Sequence, residues 1–582
     1  MAAVNVILPS KEVRRINAVA GTSLLKALQA AGIYIPAICG GKGSCGKCRL
    51  RLASGTLPVT DADRACFSSD ELNGGWRLAC AAFPSGDITA ELPETGESNF
   101  YAVENFEQKQ AALNVSCKSF SPQKIPQSFA RQLEPGRRLS YPELLEASKL
   151  AEPPPGNDLH AYRDGNARVI RIGGENEAVY AAAVDLGTTT LGFSLVNLRS
   201  GDVNCRYSAV NKQREYGGDV ITRIQKANDG GLSALSQCAR EQIAGGITAL
   251  CSDAGIALKD IHKIAVAGNT TMLHLLLGLS CQTLGKTPFT PVTLDMVFLN
   301  HRELFDEEFS SGLNPGCEVV ILPGISTYVG ADITAGLFYS EFHKTADAAL
   351  FLDIGTNGEM ALARDGKILC AATAAGPAFE GGNILCGTGS VPGAISGVKC
   401  NNGVFSVDTI GNKAPAGICG SGVVDTVYQG LMHGYIQKSG RYTGKVKNNE
   451  IFLAKSVEGR DIVFCQKDVR ELQLGKSAIR SGLDALLNHC GLGYDDIKTL
   501  YIAGGFGFNL DMESAAGIGL IPPALLSKVS LGGNSALGGT VKYLLNSGSD
   551  GELDGIIGQS SEFSLPEDRY FNEHFVENVN FD

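Results

Sequence analysis

Four cysteines constrain the N-terminal part of this chain more than any other feature. Cys39, Cys45 and Cys48 lie in CGGKGSCGKC, a C-x5-C-x2-C spacing, and Cys80 follows after 31 intervening residues in RLAC. Buried structural cysteines or a zinc site are the competing readings. Zinc usually takes paired C-x2-C knuckles, and only one such pair is present. Four thiolates suit a 2Fe-2S cluster, with two on each iron. The intervening glycines let a short loop wrap the cluster and aim N–H groups at its sulfides, which together with burial tunes the reduction potential. Cys66 falls outside this pattern and reads as a bystander, with a swapped ligand as its alternative role.

The surrounding pattern is that of a small mixed domain over 1–92. Residues 3–9 and 13–19 read as a strand pair, and Thr22 or Ser23 caps an amphipathic helix that Gly32 ends. Strands follow at 48–52 and 87–92. Periodicity then fades over 93–125, where Pro93, Gly96 and Pro122 mark a linker. A small middle domain, 126–178, carries one helix near 141–151 and no legible chemistry.

From 179 the texture changes to apolar strands that end in Gly/Thr turns. Asp185-Leu-Gly187-Thr188-Thr189-Thr190 closes one strand, and Asp353-Ile-Gly355-Thr356-Asn357-Gly358 closes another 168 residues later. Each is followed by a returning strand, so the chain reads as a duplication, with lobe I over 179–345 and lobe II with its tail over 346–582. Such turns offer N–H groups and hydroxyls to phosphate oxygens, and the aspartates suit Mg2+ or its water shell. A third glycine turn, Gly504-Gly505-Phe506, ends the strand from Thr499, after an amphipathic helix that carries Lys476. Asp219 and Asp332 could position water or Mg2+, with helix capping as the plainer alternative. His274 reads as a packing residue.

Composition narrows the class. A net charge of −11, with no basic run, argues against nucleic acid. Thirteen further cysteines, scattered without pairing among the 17, fit reduced thiols in a cytoplasm. No signal peptide is evident, and the longest apolar stretch, Leu273 to Cys281, is too short for a bilayer. The expectation is a cytoplasmic protein that avoids membranes.

These motifs carry resemblances. The head resembles β-grasp ferredoxins, of the adrenodoxin-type branch by its x5 spacing. The body resembles the actin-like (ASKHA) ATPases, in which ATP sits between two duplicated α/β lobes. On this likeness Gly187, Thr188, Thr189, Thr190, Gly355, Thr356, Asn357, Gly358, Lys476, Gly504, Gly505 and Phe506 are implied nucleotide residues. Asp185, Asp353, Asp219 and Asp332 are implied catalytic or Mg2+-holding groups. The combination, with CGGKGSCGKC, DLGTTT, YGGDVITRI, AGNTTMLHLLLG, YVGADITAG, LDIGTNGE, GPAFEGG, GICGSG, DVRELQLGKSAI and AGGFG, resembles the reductive activators of corrinoid proteins, including activating enzymes of O-demethylases.

That resemblance implies an α+β multidomain ATPase that passes one electron from a 2Fe-2S cluster to inactive Co(II), restoring Co(I) for methyl transfer. Its implied partners are a corrinoid protein and a low-potential electron donor, and a homodimer is plausible. A cluster near about −400 mV falls short of that task, and ATP can cover the deficit: 30 mV is roughly 0.7 kcal/mol for one electron. The alternatives are an electron injector for another low-potential enzyme, a ferredoxin-fused small-molecule kinase, or a nucleotide-gated scaffold that senses redox state.

Overall fold

The computed structural model describes Ala2 to Phe581 apart from residues 9–10, 20, 32, 34, 36–40, 42, 44–45, 47, 94–105, 109–114, 122–126, 135–137, 152–158, 166–167, 458 and 507–509, and the side chains of Gln29 and Ala30. In the head, alternation buries Val4 and Val6 and leaves Asn5 exposed on strand β1 (Ala2–Ile7). Strands β2 (Val13–Ala18), β3 (Arg49–Ser54), β4 (Trp76–Leu78) and β5 (Ile88–Glu91) complete a sheet of order β2-β1-β5-β3-β4. The neighbours β1 and β5 run parallel, and the helix Leu24–Ala30 buries Leu24, Leu25 and Leu28 in the same core. This is the expected β-grasp arrangement.

A second unit has strands β6 (Ser116–Phe120), β7 (Leu159–Arg163) and β8 (Val169–Gly173) in one antiparallel sheet. The helix Tyr141–Ser148 packs beside it and supplies two buried carboxylates to the backbone of β8. Glu143 accepts from Val169 N at 3.0 Å and Glu146 from Ile172 N at 2.8 Å, so buried charge meets N–H donors. Arg168 and Arg171 tie the unit to lobe I through Glu318 (2.9 Å) and Asp260 (2.6 Å). Here the linker expectation for 93–125 needs correction. Its end supplies β6, and Phe106 is buried in the lobe I core. The strand Ser-Cys-Lys-Ser-Phe is mostly exposed, so it carries no apolar alternation to reveal it.

The two lobes repeat one topology. Lobe I holds β9 (Tyr180–Leu186), β10 (Thr190–Asn197), β11 (Val203–Val210), β12 (Ile261–Gly268), β13 (Val297–Asn300) and β14 (Glu318–Ile321), in the order β11-β10-β9-β12-β14-β13. In lobe II, β15 (Ala349–Ile354), β16 (Gly358–Arg364) and β17 (Lys367–Thr373) form the hairpins. An insertion follows: β18 (Ala394–Asn401), β19 (Val404–Thr409), β20 (Gly417–Ile418), β21 (Glu450–Lys455) and β22 (Asp461–Cys465). With β23 (Thr499–Ala503), β24 (Val529–Gly533) and β25 (Ser560–Glu562), the main sheet runs β24-β23-β15-β16-β17-β25. Thus β9, β10, β11, β12 and β14 correspond to β15, β16, β17, β23 and β24.

Small residues let the helices that follow β14 and β24 cross closely under the cleft. Gly539 of the helix Ser535–Leu545 has room for no side chain, since a Cβ would stand 2.0 Å from Ala335 O of the helix Ala331–Tyr339. Ser535–Leu545, which the sequence places in lobe II, therefore packs on lobe I. The tail helix Arg569–Glu577 lies against the long helix Gln466–His489. Among the described residues no helix is long and apolar enough to cross a membrane, and no disulfide is formed.

Candidate functional site

The repeat places equivalent aspartates on facing strands. Asp185 is the penultimate residue of β9, and Asp353 is the penultimate residue of β15. Both line an open cleft between the lobes. Gly187, Thr188, Thr189 and Thr190 enter from the first turn, and Gly355, Thr356 and Asn357 from the second. Asp332 lies on its floor, and Gly504, Gly505 and Phe506 on its lobe II wall. Gly504 is obligatory in physical terms: its φ is +87°, and a Cβ would meet Asp353 Oδ1 at 2.7 Å.

Carboxylates concentrate here without a cation among their described neighbours. Burial pushes Asp185 up to about 6, although Asn534 Nδ2 donates to its Oδ2 at 2.9 Å. Asp332 rises to about 7 through burial and the charge of Asp185. Asp353 rises to about 8 through burial and the charges of Asp332, Asp185 and Glu380. Glu359, also buried, is held well above its ordinary value by burial and by Asp332 and Asp353. Carboxylates this close repel one another, although among the described residues no three His, Cys, Asp or Glu side chains are grouped so as to hold a metal ion directly.

Three expected site residues stand elsewhere. Lys476 Nζ donates to Asn578 O and Asn580 O, each at 2.6 Å, so the lysine anchors the tail and does not line the cleft. Asp219 caps the helix Val220–Lys226, accepting from Thr222 N at 2.7 Å. Gly358 opens β16 against Ile479, where a Cβ would approach to 2.9 Å. His274 is a packing residue: Nδ1 meets Thr270 O at 2.7 Å, and Nε2 accepts from Val292 N at 2.9 Å.

The structure also adds residues. Asn269 and Asn534 each cap a helix through Oδ1 and reach into the cleft through Nδ2, Asn269 to Thr188 Oγ1 at 2.9 Å. The signal for Asn269 was present in AGNTTM, an asparagine at the junction of a strand and a helix. Glu380, within GPAFEGG, and Glu359, within LDIGTNGE, also line the cleft. Phe379 and Phe506 pair at its wall, with ring centroids 5.1 Å apart.

In the head, Cys48 and Cys80 are buried and adjacent segments join them, Ala79 N donating to Cys48 O at 2.7 Å. Cys39 and Cys45 lie outside the described residues. Gly41, Gly43 and Gly46 all have positive φ, and a Cβ on Gly41 would stand 3.8 Å from Cys80 Cβ. A loop so wound, beside buried thiols, fits the 2Fe-2S reading. The Cys66 Sγ lies 3.9 Å from Gly43 O, beside that loop. The head meets lobe II where the Arg460 guanidinium lies 5.8 Å from the Trp76 ring.

Comparison with known proteins accounts for nearly the whole chain. Residues 9–85 match the family described as 2Fe-2S iron-sulfur cluster binding domain, 180–345 the RACo middle region, and 347–582 the C-terminal domain of RACo, the ASKHA domain. A protein of Eubacterium limosum, corrinoid activation enzyme RamQ, is 31% identical over 576 residues, covering 94% of each chain. A [Co(II) methylated amine-specific corrinoid protein] reductase of Methanosarcina barkeri is 27% identical over 62% of this chain and 68% of its own. The solved structure of a reductive activator for corrinoid, iron-sulfur protein aligns with a TM-score of 0.74 at 29% identity, over 99% of this chain and 98% of that one.

Proposed function

This chain belongs to the family of corrinoid activation enzymes, fused ferredoxin and ASKHA proteins, and from that premise we propose that it restores an inactive Co(II) corrinoid protein to Co(I), one electron at a time, at the expense of MgATP. The observation that carries the reading is the meeting of both Asp-x-Gly-Thr turns and the Gly504 turn on one cleft, in the same chain as the four-cysteine head.

The residues divide the work. The N–H groups and hydroxyls of Thr188, Thr189 and Thr356 take the phosphates. Asn269 orients Thr188, and Asn534 orients Asp185. Asp185, Asp332 and Asp353 would hold Mg2+ through its water shell, which would supply positive charge beside the phosphates. Gly504, Gly505 and Phe506 form the adenosine wall. Cys39, Cys45, Cys48 and Cys80 would hold the 2Fe-2S cluster, which would supply a one-electron carrier for a low-potential donor to reduce. The crossing helices Ala331–Tyr339 and Ser535–Leu545 let nucleotide binding change the angle between the lobes. Arg460 and Trp76 pass that change to the head.

The test is an anaerobic optical assay of the reduced protein with a Co(II) corrinoid protein. Co(I) that forms only with MgATP is the expected result. ATP turnover without Co(I), across several corrinoid proteins, would refute the proposal and favour a kinase.

A further inference from the structure

Glu380 belongs to the short turn Pro377–Glu380, and the nucleotide reading gives it no task. Its Oε2 accepts a hydrogen bond from Thr189 Oγ1 at 2.8 Å and another from Thr356 Oγ1 at 2.8 Å. The first threonine belongs to the lobe I turn and the second to the lobe II turn. One anionic oxygen therefore ties both loops together across the cleft.

The turn that carries Glu380 is fixed by its backbone. Gly381 has a φ of +73°, and a Cβ there would stand 2.1 Å from Thr388 O. Gly382 is likewise closed in by Pro377, 2.5 Å from where its Cβ would be. The carboxylate is thus presented to the two hydroxyls from a rigid support, and only side-chain rotation can withdraw it. Each hydroxyl has a single proton, so it donates to Glu380 or to a phosphate oxygen, never to both at once. A carboxylate and a terminal phosphate offer the same thing here: an anionic oxygen between two hydroxyl donors.

We propose that Glu380 is an internal competitor for the terminal phosphate of ATP: it bridges the two loops until that phosphate takes both hydroxyls and releases it. The proposal rests on the nucleotide reading above and adds a rule to it. A triphosphate breaks the bridge, whereas a diphosphate leaves it in place, so the link between the lobes distinguishes ATP from ADP. Glu380 acts on the nucleotide through Thr189 and Thr356, which makes it a positioning residue.

Calorimetric titration with MgADP and with a non-hydrolysable Mg-triphosphate analogue tests this in the full chain and in Glu380→Ala and Glu380→Gln. Removing the competitor should tighten triphosphate binding about tenfold and change the diphosphate less than about twofold. Glu380→Gln should fall between, because a neutral amide oxygen accepts less strongly than a carboxylate. It also decides the matter by the same criterion should Glu380→Ala fail to fold. Weaker triphosphate binding, or equal changes for both nucleotides, would overturn the proposal, since a ligand to the cation or a merely structural group behaves that way. An unsubstituted chain that binds neither nucleotide would overturn the nucleotide reading itself, a result distinct from either.

Discussion

In lobe I the Asp185 turn hangs on side chains from other elements: Asn211 Nδ2 donates to Gly187 O at 2.8 Å, Arg223 Nη2 to Thr188 O at 2.6 Å, and Asn269 to Thr188 Oγ1. In lobe II the Asp353 turn closes on its own backbone, Gly355 N donating to Asn357 O at 2.9 Å, and Thr356 reaches Glu380. The duplication thus preserved the aspartate and the turn while the supports diverged. The lobe I loop depends on the helices beneath it, whereas the lobe II loop is locally determined. Arg223 shows the cost of that dependence. It is fully buried, and burial lowers its guanidinium to about 9. Its described hydrogen bonds go to neutral acceptors, so the positive charge is left facing the loop.

The largest effect should come from the shared feature. Asp353→Asn and Asp185→Asn should each lower ATP turnover on the order of 10²-fold or more, measured as phosphate release. A large loss in one alone would show that the lobes do not share the cation. Next, Arg223→Met orphans Thr188 O and Gly217 O, and should lower unfolding stability by about 3 kcal/mol in urea titration. The KM for ATP should rise with it. An unchanged KM would mean that the lobe I loop needs no such support.

Proton linkage should give a smaller signal. Asp353 is raised to about 8 and Asp332 to about 7, both above the ordinary carboxylate range. The folded state therefore binds more protons than the unfolded state between roughly pH 4 and pH 8, and stability falls as pH rises through that window. Saturating Mg2+ replaces those protons, so it should stabilise the protein more at pH 8 than at pH 6 in thermal melts. A pH-independent Mg2+ effect would place the cation elsewhere. The smallest change in the cleft should come from Lys476→Met. The tail should become more open to proteolysis, with the KM for ATP altered less than about twofold.

Short-range patterns made much of this legible. The cysteine spacing and the two Asp-x-Gly-Thr turns are local, and the fold they implied is the fold present. Residues that act at a distance leave no local pattern in the sequence. Glu380 reads as part of a glycine turn, and its partners Thr189 and Thr356 are 191 and 24 positions away. Asn534 meets Asp185 across 349 positions. Lys476 anchors the tail and stands away from the cleft, and its sequence position carries the signal. It lies on the buried stripe with Leu472, Ile479 and Leu483, where a lysine must find protein carbonyls, and the tail provides them. A basic residue on an ATPase helix draws attention to phosphate, but its helical phase pointed to the tail.

In the proposed function the cluster and the cleft serve one reaction. The most direct measurement is the optical yield of Co(I) from a Co(II) corrinoid protein with MgATP, compared among the unsubstituted chain, Asp353→Asn and Cys80→Ala. Only the unsubstituted chain should give Co(I), while Asp353→Asn keeps a reducible cluster and Cys80→Ala keeps ATP turnover. Co(I) from either variant at the unsubstituted rate would contradict the account.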